Sequence, residues 1–289
     1  MSSLQPRPGH RLLRCPLCRL ELTAATGTLV CRNGHSFDLA REGYVNLLRS
    51  GGRRPAAGGD SVAQLWHRSA FLDAGHLDGI ATAIVEQARW ANAERTLRPW
   101  RTLDAGSGTG HHLGRIAATL ARPMIGLGLD ISKEAARQAA RRWPALAFAV
   151  ADLWAKWPVH DAALDLVVSV FAPKNFPETA RVLRPGGWLA VAYPGPNHLF
   201  ELRGRFGLLR QHEGNARRYA DLARRFIGPT TADRLHHRGF LDSAIARSAI
   251  LMGPNARHKD PSTFDIEEGN FAVTFDINLL FAQKPERSP

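Results

Sequence analysis

The sequence predicts an alternating α/β fold: a parallel sheet covered by helices on both faces, closed by an antiparallel hairpin and preceded by a small cysteine-containing segment. Three observations carry this. Apolar runs at 102–105, 125–130, 148–151, 164–170 and 188–193 alternate with helix-periodic stretches, as expected for strands buried on both faces. Near the C-terminus Phe271, Val273, Phe275, Ile277, Leu279 and Phe281 alternate with mostly polar neighbours, the period of a half-buried strand. Lastly, Cys15, Cys18 and Cys31 are the only cysteines, and all fall in the first 31 residues.

In chain order, residues 12–48 form a compact segment with turns at Cys15-Pro16 and Asn33-Gly34. Residues 49–60 combine Gly, Pro, Ala and charge with nothing to bury, the composition of a flexible linker. A helical stretch spans 62–95. Strand 102–105, helix 111–121, strand 125–130 and helix 133–142 follow, then the strands at 148–151, 164–170 and 188–193. Residues 195–238 read as a basic helical insertion. Residues 244–251 are expected to pair with 271–281 as the closing hairpin.

An apolar share of 44% with 22% charged residues suits a folded globular protein. No stretch approaches the ~20 apolar residues of a membrane span, and Met1 to His10 lack an apolar signal core. The expectation is a soluble, cytoplasmic protein with no membrane contact. The net charge of +12 points to an anionic partner, although only 5 of the 38 basic residues are Lys, a bias that genome composition can produce. Its distribution says more. Residues 1–54 carry nine Arg against Glu21, Asp38 and Glu42, half of the excess. A second basic stretch, 203–238, contains Arg217, Arg218, Arg224 and Arg225. Clustered Arg fits nucleic-acid backbone binding; a solvated helix face is the alternative.

Three cysteines in a chain without a secretion signal argue against a disulfide framework. Cys15-Pro-Leu-Cys18, twelve residues, then Cys31-Arg-Asn-Gly-His35 supplies four ligands from two tight turns, the set that zinc takes tetrahedrally. With no position left open, such a site is structural. A redox pair at Cys15 and Cys18 is the competing reading.

Leu103-Asp104-Ala105-Gly106-Ser107-Gly108-Thr109-Gly110 lies between a strand and a helix, where glycines let backbone approach a ligand at a helix N-terminus. The spacing is G-x-G-x-G, and His111 occupies the position where a dinucleotide fingerprint needs Gly. That departure, with Asp104 at the strand end, points away from NAD and towards S-adenosylmethionine. Asp130 ends the second strand, placed to accept from ribose hydroxyls. Asp152 ends the third, placed to accept from an adenine amino group. Each Asp alone could be a helix cap; the set makes the cofactor site. Ligands of such sheets lie beyond the carboxyl ends of the strands. Val170-Phe171-Ala172-Pro173-Lys174-Asn175 should therefore face the transferable methyl, with Phe171 able to stack on a planar substrate, and His198 in Pro194-Gly-Pro-Asn-His198 lies on the same rim. A packed strand-end aromatic and a surface His are the bland alternatives.

Taken together, Cys15-x2-Cys18, Cys31-x3-His35, Phe37-Asp38, Glu42-Gly-Tyr-Val-Asn-Leu-Leu48, Phe71-Leu-Asp-Ala-Gly-His76 and the glycine loop closely resemble the 23S ribosomal RNA (guanine-N1)-methyltransferases. The resemblance covers most of residues 12–200. Gly110-His-His-Leu-Gly and Phe171-Ala-Pro-Lys-Asn look like the branch that protects actinomycete macrolide producers. The resemblance implies a Rossmann-like class I methyltransferase domain, a seven-stranded mixed sheet with helices on both faces, over 61–289. It also implies a zinc-binding RNA-recognition module at 1–48, joined by the 49–60 linker and able to close over its RNA. Further implied are a homodimer, a 23S RNA hairpin as substrate, and cofactor contacts at Leu77, Gly108, Thr109 and His198. Leu77 departs from the aromatic residue of the housekeeping branch.

Guanine N1 carries a hydrogen that must leave before or during methyl transfer, which calls for a base or for stabilisation of the developing oxyanion. A looped-out base must also be held in a pocket. The candidates are His198 for proton handling or cofactor anchoring, Phe171 for stacking and Asn175 for reading the guanine edge. Two other classes share these motifs: a small-molecule methyltransferase with a zinc knuckle, and a catalytically silent RNA-binding protein. The basic N-terminal segment speaks against the first, and the intact glycine loop with Asp130 against the second.

Overall fold

The computed structural model describes residues 5–48, 59–90, 98–208, 214–253, 264 and 266–286; most of the expected linker, 49–58, lies outside them. The chain begins with a 3-10 turn, Pro8–Leu12, and a three-stranded antiparallel ribbon of β1 (Thr23–Ala25), β2 (Thr28–Val30) and β3 (Ser36–Asp38). Next come β4 (Tyr44–Asn46), α1 (Val62–Asp73), α2 (Gly79–Trp90), β5 (Trp100–Ala105), α3 (His111–Thr119), β6 (Met124–Asp130), α4 (Lys133–Arg142) and β7 (Ala147–Val150). The second half holds β8 (Leu164–Val170), α5 (Phe176–Val182), β9 (Leu183–Pro194), α6 (Phe200–Phe206), α7 (Asn215–Phe226), β10 (Thr230–Asp242), α8 (Ser243–Leu251) and β11 (Asn270–Gln283).

The large sheet runs β10-β11-β9-β8-β5-β6-β7-β4. From β9 to β4 every pairing is parallel, while β11 enters antiparallel to β9 and β10 antiparallel to β11. Strand order reverses at β5, which has β8 on one side and β6 on the other, so the carboxyl end of β5 is the switch point where ligands of such sheets bind. Alternate strand residues feed opposite faces. Leu103, Leu127, Ala149 and Val167 join a core with α5 and α7, and Leu166, Val168, Val170 and Phe275 one with α1, α2 and α8.

Three expectations are corrected. The sheet has eight strands, because β4, from the N-terminal segment, pairs in parallel with β7, Tyr44 opposite Phe148. Residues 244–251 are helix α8, not a strand. Asp242 caps it by accepting the Ile245 N–H at 2.8 Å, and Ala246, Ala249 and Ile250 form one buried face. A short apolar run is ambiguous between the two states. The partner of the C-terminal strand is β10, inside the stretch read as helical. As the sheet's edge it needs to bury only one residue, Leu241, so its charged sequence hides it, while its register with β11 runs from Thr230 opposite Ala282 to Asp242 opposite Asn270. The helical content of that stretch is real in α6 and α7. The 62–95 helix breaks at Gly75, which takes φ 79°.

Nor is the N-terminal segment a separately packed body. Leu12, Leu13, Leu22, Leu29 and Leu39 share one core with Trp157, Val159 and the large sheet. Leu13 bridges Val159, and the Arg7 guanidinium donates to the carbonyls of Leu146 (2.7 Å), Ala140 (2.9 Å) and Glu42 (2.6 Å). In this arrangement, moving the segment as a hinged module would open that core.

Candidate functional site

The metal-ligand set forms as the spacing predicts. Cys15 N–H donates to Leu20 O (2.8 Å) and Arg19 N–H to Cys15 O (3.0 Å) in the first knuckle; Gly34 N–H donates to Cys31 O (2.9 Å) in the second, with Gly34 at φ 77°. The turns bring Cys18 Sγ to 3.6 Å from Cys31 Sγ, and His35 Nδ1 to 3.5 Å from Cys15 Sγ and 3.3 Å from Cys31 Sγ. All four ligand atoms lie within 4.8 Å of one another. Ligands at about 2.3 Å from a tetrahedral centre stand about 3.7 Å apart, so the set fits zinc, and the sulfur separation is far too long for a disulfide. The Cys31 thiol is lowered to about 7: burial works against this, but the backbone N–H of Asn33, Cys18 and His35 outweigh it. The zinc is structural.

At the switch point lies a cavity of about 590 Å³. One wall is the glycine loop: Gly106, Ser107, Gly108 and Thr109, with Leu77 from the turn before α2 and Arg68 from α1. Gly106 takes φ 92°, and a Cβ there would collide with Ala172 Cβ; a Cβ on Gly108 would point into space beside the Arg68 guanidinium. Three buried oxygens beside this loop have no partner among the described residues: Asp104 Oδ1, Ser107 Oγ and Thr109 Oγ1. Unpaired buried polar atoms mark a site shaped for a polar ligand, and the loop with its open glycine fits S-adenosylmethionine. Burial, aided by the neighbouring Asp130 carboxylate, raises Asp104 to about 7.

The opposite wall is aromatic and cationic: Phe171, Lys174, Tyr193, His198, Arg203 and Tyr219. Phe171 sits at φ 52°, a costly conformation for a bulky residue, and stacks on His198 with ring centroids 6.0 Å apart at 21°. His198 Nδ1 accepts from the Asp276 N–H (3.4 Å), so the neutral ring carries its proton on Nε2. Burial pushes His198 down to about 4 and His112, also on the cavity, to about 3. Lys174 Nζ donates to Ala172 O at 2.5 Å and lies 5.3 Å from the Tyr219 ring centroid; burial lowers it to about 8.

Of the residues expected at the site, Leu77, Gly106, Gly108, Thr109, Phe171 and His198 line the cavity, while Asp104 and Gly110 support it from below. Asp130 and Asp152 stand outside the lining. Asp130 accepts the N–H groups of Gly108 and Ser132, each at 2.8 Å, and Asp152 that of Trp154 at 2.8 Å. A carboxylate retains lone pairs beyond these, but both side chains already act as loop ties. Asn175 also stands outside the lining: it caps α5, accepting from Glu178 N–H (3.2 Å), and donates to Leu153 O (3.0 Å). Arg68, His112 and Tyr219 were not foreseen, whereas Lys174 belongs to the loop expected to face the transferable methyl, with no role of its own assigned there.

The RlmA N-terminal zinc-ribbon family matches residues 13–50, and a methyltransferase-domain family matches 102–187. The chain is 39% identical over 275 residues to the 23S rRNA (guanine(748)-N(1))-methyltransferase of Streptomyces fradiae, covering 92% of this chain and 96% of that protein. It is 41% identical over 265 residues to a relative of the same family name from Micromonospora griseorubida (86% and 88% covered) and 30% over 293 residues to one from Bacillus subtilis (94% and 97%). Identity running through both the zinc ribbon and the cleft, over nearly the full length of these relatives, places the chain in the family of S-adenosylmethionine-dependent 23S ribosomal RNA (guanine-N1)-methyltransferases.

Proposed function

We propose that the protein methylates N1 of a guanine in a hairpin loop of 23S ribosomal RNA, acts as a cytoplasmic homodimer and confers macrolide resistance. The observation that carries the reading of the site is its two unlike walls. A glycine loop with unpaired polar atoms faces an aromatic and cationic surface across one cavity, so a methyl donor and a planar base meet between them. Bound there, S-adenosylmethionine supplies an electrophilic methyl group. The chain does the rest. Ser107, Thr109 and Arg68 would hold the donor's polar end, Asp104 would support the loop from below, and Leu77 would cover the donor's apolar side. Phe171 and Tyr219 offer ring faces that offset the cost of unstacking a base. His198, with Nε2 as a donor, is suited to the guanine carbonyl oxygen rather than to taking a proton. The relatives from actinomycetes and the absence, among the described residues, of any helix long and apolar enough to cross a membrane support the biological setting.

The test is mass spectrometry of a 23S RNA hairpin after incubation with the protein and labelled S-adenosylmethionine. The expected product is 1-methylguanine at a single position. Label on another base or another guanine atom would refute the assignment, and unchanged macrolide tolerance in a host expressing the gene would refute the resistance role.

A further inference from the structure

A reaction at guanine N1 needs somewhere for the N1 proton to go, and the cavity holds few groups able to take it. His112 and His198 are neutral but weakly basic, and His198 has its Nδ1 lone pair engaged by the Asp276 N–H. Asp104 and Asp130 lie behind the glycine loop, outside the lining. Lys174 remains. It sits in the β8–α5 loop, two residues past Ala172, which packs against Gly106 of the glycine loop, and its side chain lines the cavity. No carboxylate among the described residues pairs with it; its only polar contact there is the Ala172 carbonyl.

We propose that Lys174 is the general base that removes the N1 proton of the target guanine. This rests on the reading of the cavity as the site of guanine-N1 methylation. As a neutral amine Lys174 can keep one N–H on Ala172 O and leave its lone pair available to the cavity. The proton passes from N1 to Nζ, the N1 electron pair forms the bond to the methyl carbon, and the sulfur–methyl pair returns to sulfur. A sulfonium and a neutral amine become a thioether and an ammonium, so charge balances. The surroundings of Lys174 pull both ways. The Tyr219 ring face and the Ala172 carbonyl favour the ammonium, burial favours the neutral amine, and burial prevails. On the same cavity His112 and His198 are uncharged, and Arg68 and Arg203 are cations. The positive charge of the donor acts, like theirs, against the ammonium. The lowering of Lys174 to about 8 by burial agrees with this placement and leaves it basic enough to accept the proton.

The experiment uses the full-length protein, labelled S-adenosylmethionine and the hairpin RNA, with single-turnover rates measured across pH. The wild-type rate should rise with pH and level off near the Lys174 pKa. Lys174→Met should slow transfer by about 10²–10⁴-fold with cofactor affinity by calorimetry unchanged, and small primary amines should restore part of the rate. Lys174→Arg keeps the charge but cannot release a proton, so it should be as slow as Lys174→Met. With only five lysines in the chain, the Nζ resonance lost in Lys174→Met identifies Lys174 by nitrogen NMR, and it should titrate below an ordinary lysine. A Lys174→Arg rate equal to wild type, or an ordinary Lys174 titration, would overturn the proposal. A wild-type product other than 1-methylguanine would instead overturn the assigned reaction.

Discussion

At the scale of single residues, the site runs on buried groups whose charge is set by their surroundings. Asp104 shows this most plainly. Burial and Asp130 raise its carboxyl from 3.8 to about 7, so the native state holds a proton that the unfolded chain has released over that interval. The resulting contribution to stability is complete below the ordinary carboxylate value and is lost as pH rises through about 7. Asp104→Asn has no such titration. The melting temperature of the ligand-free wild type, minus that of Asp104→Asn, should therefore fall between pH 5 and pH 8, which thermal melts in matched buffers would show. A constant difference across that range would mean that Asp104 is ionised in the native state.

Among the elements, α7 carries the basic character that the sequence placed in 195–238. Its Tyr219 turns into the cavity while Arg217, Arg218, Arg224 and Arg225 stay on the exposed side. Exposed Arg–Asp pairs such as Arg224 with Asp221 (3.1 Å) contribute little to folding, so the helix can present this charge to phosphate. Arg218→Gln should leave cofactor affinity unaltered and reduce the salt dependence of hairpin binding by about 0.7–0.9 units of log–log slope. Filter binding at several salt concentrations measures this, and an unchanged slope would remove α7 from the RNA contact. The neighbouring β10 shows how an element escapes a sequence reading: an edge strand exposed on both faces along nearly its whole length needs no apolar alternation, so its identity lies in its pairing with β11.

For the whole molecule, the decisive fact is that ribbon and catalytic sheet share one core. Structural zinc contributes on the order of 10–16 kcal/mol of apparent binding energy in small modules, and here that energy also holds Leu13 against Val159 and β4 against β7. Cys31→Ala should lose the bound zinc and lower the melting temperature of the catalytic domain in the same transition, read by metal analysis and near-ultraviolet dichroism of the core Trp157. Two separate transitions with the catalytic one unmoved would contradict this coupling. The sequence by itself determined whatever depends on neighbours in the chain. The four zinc ligands sit on two short turns, the glycine loop needs only its own backbone freedom, and the β/α alternation follows from local apolar periodicity. Tertiary structure decided whatever depends on distant partners. Asn175 looked free to read a base until α5 and Leu153 took both of its ends. Residues 244–251 became a helix once Asp242 capped them and the core received their alanine face. Lys174 acquired its unusual setting only when Tyr219, from α7, came over it and the cavity closed, because burial and charge are properties of the space around a group and not of the residues beside it in the chain.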